Sequence, residues 1–216
     1  LEDAEAAIDE GITTPLLDVW FEDGRNGYAL GAYGILLHTS DGGENWCLQS
    51  DRLDNPDKYH LYGITRSRGG TLVVVGEAGT LLRSLDGGQT WLRPESPYLG
   101  SFFGTVATAD GGLLAFGLKG NVFRSIDEGA TWSAIDTGDQ RTLLAGMTQA
   151  DGRIILVGSA GIVLSSDDNG NSFSTIPTTG NRVYSTVTET GDGKLMLAGF
   201  GGLSIVDSSA TSGEPS

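Results

Sequence analysis

The sequence predicts an all-β fold, a β-propeller of four-stranded antiparallel blades, and three observations carry that prediction. A short frame, Ser/Thr-x-Asp-x-Gly-x-x-Trp/Phe, occurs four times, with Thr39, Asp41, Gly43 and Trp46, then Ser84, Asp86, Gly88 and Trp91, then Ser125, Asp127, Gly129 and Trp132, and in a worn copy Ser166, Asp168, Gly170 and Phe173. A Gly-x-x-Gly turn runs ahead of it at Gly31/Gly34, Gly76/Gly79, Gly117/Gly120, Gly158/Gly161 and Gly199/Gly202, and its leading glycines keep one constant interval after a slightly longer first step. Between these landmarks lie short apolar or alternating runs, about four per repeat, separated by residues that make tight turns. A period of roughly 41 residues made of short strands marks a propeller or a solenoid. Four strands per repeat fits the propeller blade; a β-solenoid is the weaker alternative because its coils are usually shorter.

Taken in order, residues 1–14 (LEDAEAAIDEGITT) form an acidic N-terminal segment, too acidic and Ala-rich to make a good outer strand. Five repeats follow in a propeller region over 15–207, at about 15–49, 59–94, 101–136, 141–176 and 182–207, and 208–216 reads as a tail. The third repeat shows the pattern plainly: SFFGTVATAD, GGLLAFG, GNVFRSIDEGAT and WSAI are four runs broken by Asp-Gly, Gly-x-x-Gly and the boxed turn. Each break has hairpin chemistry. The fifth repeat stops short, since one period beyond Phe173 the place of the next box aromatic is held by Glu214. Its blade is therefore expected to lack the outer strand. A chain that starts at Leu1 with no basic and apolar leader reads as a mature product or a fragment.

The boxed frame is expected to close the hairpin between the third and outermost strands. Its Asp can accept backbone N–H groups of its own turn, its Gly can take a left-handed conformation, and its indole can pack between neighbouring sheets. That makes the frame a structural staple rather than a row of catalytic acids. An EF-hand in DDNGNS fails, because the sixth loop position, which must be Gly, falls on Ser172.

Composition narrows the function. The 216 residues include 34 Gly, which suits a chain dense in turns, and 28 acids against 13 bases give a net charge of −15. Such a surface repels phosphate backbones, so nucleic acid is an unsuitable partner. Cys47 is the single cysteine, which excludes an internal disulfide and a cysteine metal cluster. His38 and His60 lack the spacing of a metal site or a triad, and neither a metal nor a cofactor is expected. No apolar run approaches the ~18 residues of a membrane span, so direct insertion is not expected.

The boxed frame is similar to the bacterial neuraminidase repeat, or Asp box. The stretch LLDVWFEDGRNGYALGAYGILLHTSDGGENW resembles, more specifically, blades of the photosystem II stability/assembly factor-like family, and the likeness runs over about residues 15–206. The resemblance implies a non-catalytic seven-bladed scaffold, exported or periplasmic, that binds a protein partner and helps assemble or operate a membrane-associated complex, an envelope transporter among the candidates. Five repeats depart from seven, and a chain cut from a longer propeller is favoured over a five-bladed protein.

Strand order assigns the faces. Gly-x-x-Gly turns share one face with the loops that lead from an outer strand to the next inner strand, and Asp boxes occupy the other. The first face carries Tyr33, Glu77 and Lys119 in its glycine turns and Arg93, Arg141 and Arg182 in its loops, and these six are the candidate partner-binding residues. The competing function is a glycan-binding or sialidase-type propeller, which would need three arginines on a carboxylate and a Tyr–Glu nucleophile pair. The arginines could be drawn into that clamp, but no Tyr–Glu pair is evident.

Overall fold

In a computed structural model the structure describes residues 14–207. The acidic segment up to residue 13 and the tail from 208 lie outside the described residues, and with them any outer strand donated by the N-terminal segment. Five antiparallel sheets follow one another along the chain. The first holds β1 (Leu16–Phe21), β2 (Gly27–Gly31), β3 (Leu36–Thr39) and β4 (Cys47–Leu48), hydrogen-bonded in sequence order. The second holds β5 (Leu61–Arg66), β6 (Leu72–Gly76) and β7 (Leu81–Ser84). The third holds β8 (Phe102–Ala107), β9 (Leu113–Gly117), β10 (Val122–Ser125) and β11 (Ser133–Ile135), and the fourth β12 (Leu143–Thr148), β13 (Ile154–Gly158), β14 (Val163–Ser166) and β15 (Ser174–Thr175). The fifth has β16 (Val183–Glu189), β17 (Leu195–Phe200) and β18 (Gly202–Val206), and no fourth strand among the described residues.

The chain is an all-β propeller, and the five blades fit part of a larger one. The second strand of each of the first four blades is buried at every position, which is why runs such as Leu72-Val73-Val74-Val75 show no polar alternation. Blades pack face to face through four apolar layers. Leu30 and Leu36 meet Leu61 and Val74; Val73 and Leu81 meet Phe102 and Leu113; Leu114 and Phe116 meet Ile154 and Leu156; Ile155 and Val157 meet Tyr184 and Leu195. Among the described residues, five blades sharing four layers leave one face at each end without a neighbouring blade. At the first blade Leu17, Val19 and Phe21 are exposed, and at the fifth Leu203 and Ile205 are.

The second blade has an outer strand reduced to one bridge, Arg83 with Leu92, each N–H donating to the other's carbonyl at 2.8 Å. In the third blade the outer strand runs on until Ile135 pairs with Val122. Pro94 stands at the position equivalent to Ile135. With no N–H to give, it ends the ladder.

Candidate binding site

The Gly-x-x-Gly turns are built by close approach as much as by conformation. A Cβ on Gly76 would stand 2.3 Å from the carbonyl oxygen of His60, and the leading glycines of the other four turns meet the carbonyl at the start of their own inner strand as tightly. In the first four repeats the residue after that glycine donates its N–H to this region, Ala32 to Pro15, Glu77 to His60, Leu118 to Ser101 and Ser159 to Thr142. Each turn is thereby pinned beside the entry of an inner strand. Tyr33, Glu77 and Lys119 all sit on that face, in these turns.

The inner strands carry a feature that sequence reasoning missed. Each has a bulge, at its second residue in the first four blades and its third in the fifth, seen as a register shift between Leu16 and Asp18, Leu61 and Gly63, Phe102 and Gly104, Leu143 and Ala145, and Tyr184 and Thr186. The extra residues are Leu17, Tyr62, Phe103, Leu144 and Ser185, and all five line one cavity of about 390 Å³. A cavity touched by the inner strands of all five blades is the central channel, and the bulges sit at its Gly-x-x-Gly end. Bulges re-aim side chains, and here they make a collar. The signal was present in the spacing, because these positions recur at the same intervals as the leading glycines.

An aromatic path leads into the collar. The ring of Tyr33, an exposed residue, packs edge to face on His60 at 5.1 Å, His60 on Tyr62 at 6.2 Å, and Tyr62 on Phe103 at 5.2 Å. Glu77 Oε2 accepts the backbone N–H of His60 at 3.2 Å. Burial, and then the charge of Glu77, push the Tyr62 hydroxyl above its usual range. Asp18, also on the channel wall, spans two blades: Oδ2 accepts Ile64 N–H at 3.0 Å and Oδ1 accepts Val19 N–H at 2.8 Å. Burial raises its pKa above the ordinary carboxylate value despite those bonds.

The arginines are placed separately. Arg93 donates to the carbonyl of Asp54, and Arg182 to Ser204 Oγ and the Leu203 carbonyl. Arg141 holds both oxygens of Asp139 and the Ala160 carbonyl. Arg141 lines a hollow with Thr178 and Asn181 that neither Arg93 nor Arg182 reaches.

On the opposite face the boxes join blades. Within a box the Ser84 hydroxyl donates to Asp86 Oδ1 at 2.8 Å and accepts Gly88 N–H at 2.8 Å, while Asp86 accepts the N–H and hydroxyl of Thr90. Thr39 and Asp41, Ser125 and Asp127, and Ser166 and Asp168 repeat the hydroxyl–carboxylate bond. The residue between Asp and Gly adopts positive φ, as Gly42, Gly87, Glu128 or Asn169, and so do Gly43, Gly88, Gly129 and Gly170. Its carbonyl accepts from the preceding blade in three boxes: Gly87 from Tyr28 Oη at 2.7 Å, Glu128 from Arg83 Nη1 at 3.2 Å and Asn169 from Arg124 Nε at 2.9 Å. Trp91, Trp132 and Phe173 likewise pack into the layer shared with the blade before. Trp46, half-buried, lines an apolar hollow on the uncovered face of the first blade with Leu17, Val19 and Leu37.

Comparison with known proteins accords with this architecture. The family model described as photosynthesis system II assembly factor YCF48 matches residues 4–135. The photosystem II assembly lipoprotein Ycf48 of Synechococcus sp. (strain CC9902) is 34% identical over 100 residues, which cover 43% of this chain and 30% of that one. Among solved structures, YCF48 bound to D1 peptide superposes with a TM-score of 0.72 at 24% identity, over 91% of this chain and 64% of the other. YCF48 from Cyanidioschyzon merolae gives 0.66 at 19%, over 89% and 66%. Virginiamycin B lyase from Staphylococcus aureus gives 0.72 at 16%, over 84% and 62%, so the fold alone does not separate assembly factors from enzymes. The chain spans under a third of the Synechococcus relative and about two thirds of the solved YCF48 chains. With its model matched over more than half of these 216 residues, the chain belongs to the photosynthesis system II assembly factor YCF48 family.

Proposed function

We propose that this chain is a non-catalytic assembly scaffold that holds a segment of a membrane-complex subunit on its Gly-x-x-Gly face, outside the cytoplasm. The observation that carries the reading is family membership joined to the channel mouth: one family relative is named an assembly lipoprotein and another was solved with a D1 peptide, while here five inner strands converge on one open collar. The border of that face, with Arg93, Arg141, Arg182, Tyr33, Glu77 and Lys119, supplies the surrounding contacts. A role without turnover is supported by the groups themselves. Arg141 is neutralised by Asp139, and the channel carboxylate Asp18 serves two backbone N–H groups, an arrangement suited to holding rather than to acid–base exchange.

Affinity capture from detergent-solubilised membranes of the source cells tests the proposal, with a fluorogenic sialoside assay in parallel. Enrichment of an integral membrane subunit without hydrolysis is the expected result. Hydrolysis of the sialoside with no enriched subunit would overturn it. Rim charges act on association more than on final affinity, so changing Arg93, Arg141 and Arg182 together to Ala should slow capture most at low salt. The thermal midpoint should fall little, because Arg93 and Arg182 are exposed and make few bonds.

A further inference from the structure

The proposed scaffold leaves the chemistry of the partner segment open, and the channel mouth carries an inference about it that rests on that reading. We propose that the mouth takes the guanidinium of an arginine borne by an extended segment of the partner, stacked along the Tyr33–His60–Tyr62–Phe103 path and drawn in by the carboxylates of Glu77 and Asp18.

The rings come first. Successive centroids lie 5.1, 6.2 and 5.2 Å apart at interplanar angles of 69°, 63° and 65°. The path therefore runs without a gap from the rim to the collar. At ~3.3 Å per residue it would accompany about five residues of an extended chain. Tyr33 is 66% exposed, and the equivalent turn positions hold Ala78, Lys119 and Ala160. The aromatic surface is therefore specific to the sector between the first and third blades.

Charge then selects the occupant. Neither Glu77 nor Asp18 belongs to any ion pair among the described residues. Asp18 is the more telling of the two, being a half-buried carboxylate on the channel wall with backbone N–H groups as its hydrogen-bond donors among the described residues. The chain's own arginines on this face are bound to local carbonyls, to Ser204 or to Asp139. A cation from outside meets both needs, since ring faces attract it through their quadrupole. Arginine suits the site better than lysine, because its planar group stacks on rings while its N–H fork reaches a carboxylate. A net charge of −15 favours approach of a basic segment at long range.

Aromatic ¹H–¹³C spectra of the whole 216-residue chain, titrated with acetyl-Gly-Gly-Arg-Gly-Gly-amide, test this directly. The citrulline peptide, alike in shape but uncharged, is the control. Saturable shifts of the Tyr62 and Phe103 ring signals are expected with arginine, and about 3- to 30-fold weaker binding with citrulline, the range a cation–π contact is worth. Glu77→Gln and Tyr62→Leu should each weaken the arginine peptide while leaving the thermal midpoint of the chain near its parent value. Equal affinity for citrulline, or shifts confined to rings away from this path, would overturn the inference. Membrane-subunit capture by Tyr62→Leu protein at the parent level would also overturn it and leave the scaffold standing, whereas failure of the parent chain to capture any subunit removes the scaffold itself.

Discussion

Asp86 holds its box by accepting from three groups at once. Bonds from the Thr90 hydroxyl, the Thr90 N–H and the Ser84 hydroxyl take its pKa down to about 2, and Asp41 reaches about 2 through the Asn45 N–H, the Asn45 amide and the Thr39 hydroxyl. In Asp168 burial pushes the other way, but the Ser172 and Ser166 hydroxyls and two N–H groups prevail, again to about 2. A carboxyl whose folded pKa lies below its unfolded value of ~3.9 contributes stability that is complete above that value and lost as pH falls through the folded one. Thermal midpoints measured between pH 7 and pH 2 should therefore stay level to about pH 4 and then drop. An Asp86→Asn protein should drop less over the acid range because it starts lower. The box indoles permit a sharper comparison. Trp132 Nε1 donates to the Gly129 carbonyl at 3.1 Å, whereas Trp91 Nε1 is buried with no acceptor. Both substitutions to Phe shrink a similar ring, so Trp132→Phe should cost about 1 kcal/mol more than Trp91→Phe in urea unfolding, the net worth of one hydrogen bond. Equal costs would mean that the indole bond does not stabilise the box.

Blades differ where single residues interrupt the repeat. Restoring Pro94 to the residue of the third blade, as Pro94→Ile, should let the second blade continue its outer strand past Leu92, and the amide that the substitution creates at residue 94 should be protected from hydrogen exchange, as that of Ile135 is expected to be. A new amide that exchanges as fast as an open chain's would assign the break to the loop that follows rather than to the proline. The same repeat logic explains what the sequence made legible. Blade number, turn positions and the Asp-box hairpins followed from motifs whose chemistry is local, since a Ser-x-Asp-x-Gly turn satisfies itself whatever surrounds it. The collar of Leu17, Tyr62, Phe103, Leu144 and Ser185 escaped because a bulge has no required residue type, and Leu, Tyr, Phe and Ser share no chemistry that flags them. The links from box carbonyls to Tyr28, Arg83 and Arg124 escaped too, being contacts between blades that use backbone on one side. The six candidate contact residues shared a face by strand order, but strand order does not reveal that Arg141 is already tied to Asp139.

At the scale of the whole molecule, the layers between blades supply the cohesion, and among the described residues the two ends lack one. At the first blade Val19 is 59% exposed beside Leu17 and the half-buried Trp46; at the fifth, Leu203 and Ile205 are each 65% exposed. In the other boxes the equivalent aromatic rests on a preceding blade, whereas among the described residues Trp46 meets Phe21 of its own blade edge to face at 6.0 Å and has no neighbouring blade against it. Contiguous apolar surface of this kind promotes association, and the 216-residue chain alone should self-associate as its concentration rises, despite a net charge of −15 that opposes contact. Changing Val19 and Ile205 together to Lys should lower the apparent mass in sedimentation velocity toward the monomer, with little change in the unfolding midpoint, because both side chains already face water. The matched change at Val74, which is fully buried between the first and second blades, should instead unfold the chain, since an unpaired charge in that layer costs several kcal/mol. A concentration-independent monomer in the parent chain would show that the end faces are tolerated by water as they stand.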